Sequence, residues 1–337
     1  MKSRGVTVLL GAVITVLLSF GVLSAPVPYV VLSAGPTVNT LGKEADKEVI
    51  QITGTQSFSS AGQLRLTTVS VASETKLLPA IAGWFSDQEA VVPKELIYPP
   101  DQTEKQVEQQ NAEDFQASQT SAETVALSKL GYPIQVTVSA VTAGGAAASV
   151  LKAGDVITSV DGKAIKAAPE LTDAIKAKPA GSTVTIGYTR GGQPAQATLT
   201  PKAVDGQPRI GVEIEQKQPH PFELKFDLED IGGPSAGLMF TLGIIDKLGA
   251  DDLTGGKIIA GTGTIDDQGN VGPIGGIPQK LVGAKDAGAV AFLVPADNCK
   301  EASDNAVDGL PLYKVATVDD ALAALNTLKT GGVPPRC

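Results

Sequence analysis

Apolar residues are densest from Val6 to Leu23, a stretch that no charged side chain interrupts; after Arg4 the next charge is Lys43. A run of this length is at the short end of what crosses a hydrocarbon core as a helix. Lys2 and Arg4 precede it, which predicts a cytoplasmic N-terminus and an extracytoplasmic remainder. A secretory signal shares these features. Leu23-Ser24-Ala25-Pro26 offers no clean small-x-small cleavage pattern, so the expectation is a retained transmembrane anchor over residues 6–23. Secretion after cleavage is the alternative.

Beyond the anchor the pattern changes four times. Residues 27–75 show the two-residue alternation of half-buried strands, clearest in Glu48-Val49-Ile50-Gln51-Ile52 and in Gln63 to Val71. Residues 76–125 are expected to form a polar connector. Within it, residues 101–123 are rich in Gln, Glu and Asp without apolar periodicity, as in a solvated linker or a mobile lid. Residues 126–203 form a β-rich module, with a strand at 134–138, an Asp161-Gly162 tight turn and a helix opened by Pro169. Residues 206–337 alternate strands and helices. Two helices are predicted from Ala236 to Leu248 and from Pro278 to Gly288, and Thr317 with Asp320 caps a last helix. The fold class is α/β (α+β) with an added β-rich domain.

Composition narrows the chemistry. The 337 residues are 42% hydrophobic, enough for a real core, and a formal net charge of −9 gives a nucleic-acid role no electrostatic footing. One histidine, His220, and two cysteines, Cys299 and Cys337, leave no His/Cys zinc site of the usual kind, and no metal or cofactor is expected. The cysteines would both face an oxidising compartment, where they either pair or stay free.

Two segments carry candidate chemistry. Gly232-Gly233-Pro234-Ser235-Ala236-Gly237 places a serine at a Gly-rich turn feeding an apolar helix. Pro273 to Lys280 delivers a lysine at the start of another helix. A lysine in apolar surroundings loses its proton easily enough to activate a serine hydroxyl, so Ser235 and Lys280 form a nucleophile and general-base pair. Free backbone groups around Gly233, Pro234 and Ala236 are candidate stabilisers of an oxyanion. His220, between Pro219 and Pro221, is the other conceivable base, but a surface-loop histidine is the plainer reading.

The segment Leu151 to Ile157, with the strand order around it, resembles a PDZ domain. That resemblance implies capture of C-terminal tails by strand addition, with Leu130, Gly131 and Tyr132 in the binding loop. Gly-Pro-Ser-Ala-Gly, Gly261-Thr262-Gly263 and Val271 to Lys280 resemble the proteolytic domain of the Lon family. This likeness assigns Ser235 as nucleophile, Lys280 as base and Thr262 as a partner of the amine. The chain departs from the family in having Gly232 before Gly-Pro-Ser and Thr264 after the Thr-Gly pair. It contains no Gly-x-x-x-x-Gly-Lys-Ser/Thr loop, so ATP-independent action is expected.

The arrangement is similar to bacterial membrane-anchored PDZ–Lon proteins, with the PDZ module inserted into a split proteolytic domain. It implies a serine endopeptidase of the cell envelope acting on protein or peptide substrates, with a homo-oligomeric ring as a possible assembly. A non-catalytic PDZ scaffold is the alternative.

Overall fold

The computed structural model describes residues 2–86, 88–179, 181–228 and 231–337, with only the backbone of residues 2–5. The side chains of Lys2 and Arg4, on which the expected orientation of the first helix rests, lie outside the described residues. The helices in chain order are α1 (Lys2–Leu23), α2 (Leu77–Trp84), α3 (Glu104–Lys129), α4 (Ala168–Lys176), α5 (Gly237–Leu248), α6 (Ile277–Asp286), α7 (Cys299–Asp304) and α8 (Val318–Lys329). The chain divides into two compact units. One comprises residues 1–126 with 223–337, and the other residues 127–222.

The larger unit is built on a six-stranded sheet. Its order is Leu312–Val315, Ala291–Pro295, Ile258–Gly261, Gln63–Ala72, Tyr29–Asn39 and Ala90–Pro93. The first four strands are parallel neighbours and the last two pair antiparallel. Ala291–Pro295 is buried at every position, as parallel strands covered on both faces must be. Successive side chains point to opposite faces, and the core divides accordingly. Ile259, Ala291 and Leu293 join a cluster with Leu238, Met239, Leu242 and Leu325 of α5 and α8. Ala260, Phe292 and Val294 join another with Ile277, Leu281 and Ala284 of α6. Helices α5 and α6 therefore lie on opposite faces of the sheet.

Residues 101–123, expected as a solvated connector or lid, fall largely within α3. The buried residues Phe115, Ser118, Ala122 and Val125 recur at helical spacing and face the core, where the Phe115 ring meets Phe240 edge-on at 5.7 Å. Serine and alanine at two of these positions hide the stripe from an apolar count. Cys299 and Cys337 are joined by a disulfide that ties the C-terminal tail to α7. The capping box at Thr317 and Asp320 forms as its sequence predicts.

The smaller unit is an antiparallel sheet ordered Gln193–Leu199, Val184–Arg190, Val156–Val160, Gln135–Val141 and Val212–Lys217, with α4 packed through Leu171 and Ile175. Buried Asp155 accepts two hydrogen bonds from Arg190, at 2.7 and 2.8 Å, and one from the Lys152 amide. The guanidinium, itself partly exposed, holds the Asp155 carboxyl below its usual range, so the buried carboxylate is paired. Val212–Lys217 corrects the expected boundary at residue 206. It pairs with Gln135–Val141, Ile214 opposite Val138, and so completes the smaller unit as its edge strand.

Candidate active site

The site forms where α5, α6 and the end of the strand Ile258–Gly261 converge. Gly233, at φ +82°, turns the chain in a way that other residues rarely adopt. Ser235 follows, two residues before α5. Its carbonyl accepts hydrogen bonds from the Gly263 amide at 2.9 Å and from Thr262 Oγ1 at 3.1 Å, while the Leu238 amide donates to the Gly263 carbonyl at 3.1 Å. These bonds clamp the Ser235 segment to the strand end. The approach is close: a Cβ on Gly261 would lie 2.7 Å from Met239 Sδ, and one on Gly237 2.7 Å from Ile265 Cγ2.

Lys280 arrives from the other face. Gly276, at φ +71°, opens α6, and Ile277 and Leu281 are fully buried on either side of the lysine. The Lys280 side chain is hydrogen-bonded to Ser235 Oγ at 2.7 Å and to Thr262 Oγ1 at 3.0 Å. The residue is only 3% exposed, and among the described residues no carboxylate pairs with it. Burial without a compensating charge pushes its ammonium down to about 7. The three side chains singled out in the sequence thus meet at one point.

The backbone candidates fare differently. The Gly233 amide is already used, donating to the Asn111 carbonyl at 2.8 Å, and Pro234 has no N–H to offer. The Ala236 amide, and that of Ser235, make no hydrogen bond among the described residues. Two residues of α3 that the sequence did not single out support this loop. Asn111 holds Gly233, and Ser118 Oγ donates to the Pro234 carbonyl at 3.1 Å. Asn111 also bears on the departure at Gly232, where a Cβ would start 3.0 Å from its own Cβ.

Residues 230–327 match the family model of the Lon protease (S16) C-terminal proteolytic domain, and residues 106–200 match that of the PDZ domain. The chain carries a Lon proteolytic domain and a PDZ domain. Among curated relatives, Lon protease 1 of Sorangium cellulosum is 38% identical over 29% of this chain and 12% of its own length. The Lon protease of Azospirillum brasilense is 41% identical over 27% of this chain and 11% of its own. The shared stretch is thus a small part of those relatives. Among solved structures, the PDZ domain of the SdrC-like protein from Listeria monocytogenes is 41% identical, covering 23% of this chain and 85% of that one, with a TM-score of 0.23. The likeness of the proteolytic domain supports a serine peptidase.

Leu130, Gly131 and Tyr132, expected in the binding loop of the PDZ domain, are not among the residues that line its cavity. They lie in the turn where α3 ends, with the Tyr132 amide bonded to the Leu127 carbonyl and its ring against Phe222 at 5.5 Å. That cavity, about 910 Å³, is lined by Leu171 and Ile175 of α4, by Arg209, Ile210 and Gly211, and by Ile214 of the edge strand. Arg209-Ile210-Gly211 carries no signal of its own along the chain, since the strand after it alternates like those of the proteolytic domain. His220 bonds the Gln218 carbonyl at 2.8 Å and stacks near Phe222, within the PDZ unit. The apolar stretch Val6–Leu23 is helical and unburied, compatible with a membrane anchor or a signal peptide.

Proposed function

We propose that this chain is an ATP-independent, membrane-anchored serine endopeptidase of the cell envelope that uses Ser235 and Lys280 as a catalytic dyad. The observation that carries the reading is the 2.7 Å contact between Lys280 Nζ and Ser235 Oγ at a buried lysine. The neutral amine takes the hydroxyl proton as Ser235 attacks the peptide carbonyl, then gives it to the leaving amine as the C–N bond breaks. Water, deprotonated by the same amine, hydrolyses the acyl-enzyme and restores the serine. Thr262 accepts an N–H from Lys280 and donates to the Ser235 carbonyl, which leaves the amine lone pair aimed at the nucleophile.

The oxyanion would be held by the Ser235 and Ala236 amides. In a trans peptide the N–H points opposite to the C=O. The Pro234 carbonyl is bound by Ser118, and the Ser235 carbonyl by Thr262 and Gly263. Both peptide planes flanking the nucleophile are therefore held, with their N–H groups turned to the other side. Such preorganised donors are worth several kcal/mol to an acyl-transfer transition state, about 2.7–4 for one donor.

The PDZ cavity supports recruitment of protein substrates by their C-terminal tails. The exposed edge of Val212–Lys217 offers backbone groups for strand addition, and α4 supplies Leu171 and Ile175 for a terminal apolar side chain. The disulfide fits an extracytoplasmic location, and these 337 residues hold no phosphate-binding loop to use ATP.

The test is cleavage of casein and of a peptide library by the full chain in detergent, with Ser235→Ala and Lys280→Ala beside it. Loss of cleavage and of acylation by a serine-directed probe in both variants, with no response to ATP, is the expected result. An unreactive Ser235 in a chain that still binds C-terminal peptides would instead establish a scaffold.

A further inference from the structure

Helix α2 exposes apolar side chains that its own packing does not use. Ala80 and Gly83 are buried toward the sheet edge, where a Cβ on Gly83 would lie 2.9 Å from Val91 Cγ2. The opposite face presents Leu78 and Ala82, the C-cap residue Phe85 continues their spacing, and Trp84 lies on the flank. Leu78 and Trp84 are 55% exposed and Phe85 86%, and no charged residue occurs from Leu77 to Ser86.

The position of this helix relative to α1 is set by hydrogen bonds. The Leu77 amide donates to the Ala25 carbonyl at 3.0 Å, and the Val27 amide to the Thr75 carbonyl at 3.0 Å. Pro26 and Lys76 form an isolated bridge. At its other end, the Trp84 ring meets Tyr29 edge-on at 5.4 Å. Both ends of α2 are thus tied to residues 25–29, the stretch where the chain leaves α1. Four extended residues span at most about 14 Å, so all of α2 stays near the end of the apolar span. A second group hangs from the same exit: the Lys94 amide donates to the Pro28 carbonyl at 3.0 Å, and Leu96, two residues on, is 71% exposed.

We propose that α2 is an interfacial anchor, seated in the headgroup and acyl boundary of the bilayer that α1 crosses, through Leu78, Ala82, Trp84 and Phe85. The inference rests on the reading of α1 as a retained anchor. The occupant is lipid because the face is continuous with the membrane span, lacks charge, and carries a tryptophan, a residue that favours the membrane–water interface. Such a contact holds the first strand of the sheet, Tyr29–Asn39, close to the membrane surface.

Trp84 is the chain's one tryptophan, so its fluorescence reports on α2 alone. The full chain is reconstituted in phosphatidylcholine–phosphatidylglycerol vesicles with bromines either near the headgroup end or near the methyl end of the acyl chains. The expected result is a blue-shifted emission quenched roughly twofold by shallow bromines and less by deep ones, as for an interfacial tryptophan. The paired change Leu78→Gln with Phe85→Gln should relieve that quenching while near-ultraviolet circular dichroism stays unchanged. Resistance to carbonate extraction is scored in the same vesicles. A carbonate-resistant chain with unquenched Trp84 overturns the proposal and leaves the anchor standing. An extractable chain whose Trp84 is still quenched removes the anchor reading and keeps the surface contact. An extractable, unquenched chain overturns both.

Discussion

Ser118 Oγ donates a hydrogen bond to the Pro234 carbonyl at 3.1 Å, linking the middle of α3 to the peptide that precedes Ser235. That bond fixes the plane whose other end is the Ser235 amide. In Ser118→Ala the plane is free to tilt, and the proposed oxyanion site loses an aligned donor. We expect kcat to fall about tenfold, less than the loss of a direct donor, with KM nearly unchanged. Steady-state kinetics on a peptide substrate check this, and an equal fall in thermal stability and activity would mark Ser118 as merely structural.

The pH dependence follows from Lys280. Its ammonium is held down to about 7 by burial, and in the proposed dyad only the neutral amine accepts the serine proton. On the acid side kcat/KM should fall about tenfold per pH unit below that value and level off above it. A profile still rising through the ordinary lysine range would refute a buried neutral base.

The same group links stability to pH. Its folded value lies below the unfolded 10.5, so the unfolded chain binds the extra proton between about 7 and 10.5. Its contribution is present in full above the unfolded value and is lost as pH falls toward and through the folded one. Lys280→Met removes this penalty and should be inactive yet more stable near neutral pH, on the order of 1 kcal/mol. Denaturant unfolding across that window should show a steeper pH slope in the parent than in the variant.

Gly276→Ala tests the entry to the lysine helix. The residue sits at φ +71°, and a Cβ there would meet Val69 Cγ2 at 2.5 Å. The left-handed conformation alone costs about 1–2 kcal/mol. Because Lys280 lies on the first turn of α6, activity should fall further than stability, as measured by kcat beside the unfolding midpoint.

Removing the disulfide with Cys337→Ser releases a cross-link spanning 38 residues. Loop-closure entropy places the loss at up to about 4 kcal/mol. Thermal unfolding with and without reductant should show the parent, but not the variant, responding to reduction.

Much of the site was legible along the chain because its chemistry sits in short local patterns. Gly233-Pro234-Ser235 needs a sharp turn before a helix, and Gly275-Gly276 needs one before Lys280, so glycine marks both places. The α/β alternation and the apolar span from Val6 to Leu23 are likewise periodic signals that need no partner to be seen. Residues 101–123 were opaque for the converse reason. Ser118 and Ala122 are neither apolar runs nor charged clusters, and become a buried stripe only when Phe240 and the Pro234-Ser235 loop lie against α3. The cavity of the PDZ domain was hidden along the chain because Val212–Lys217 reads as any edge strand until its pairing with Gln135–Val141 shows which sheet it completes. What only the folded chain decided is how the two motifs meet. Ser235 comes from the α5 face and Lys280 from the α6 face, and they touch past the end of one strand, where Thr262 bonds both. A residue sequence records the spacing of such groups along the backbone; their contact depends on strand pairing and on which face each helix covers, and these are set by packing between distant segments.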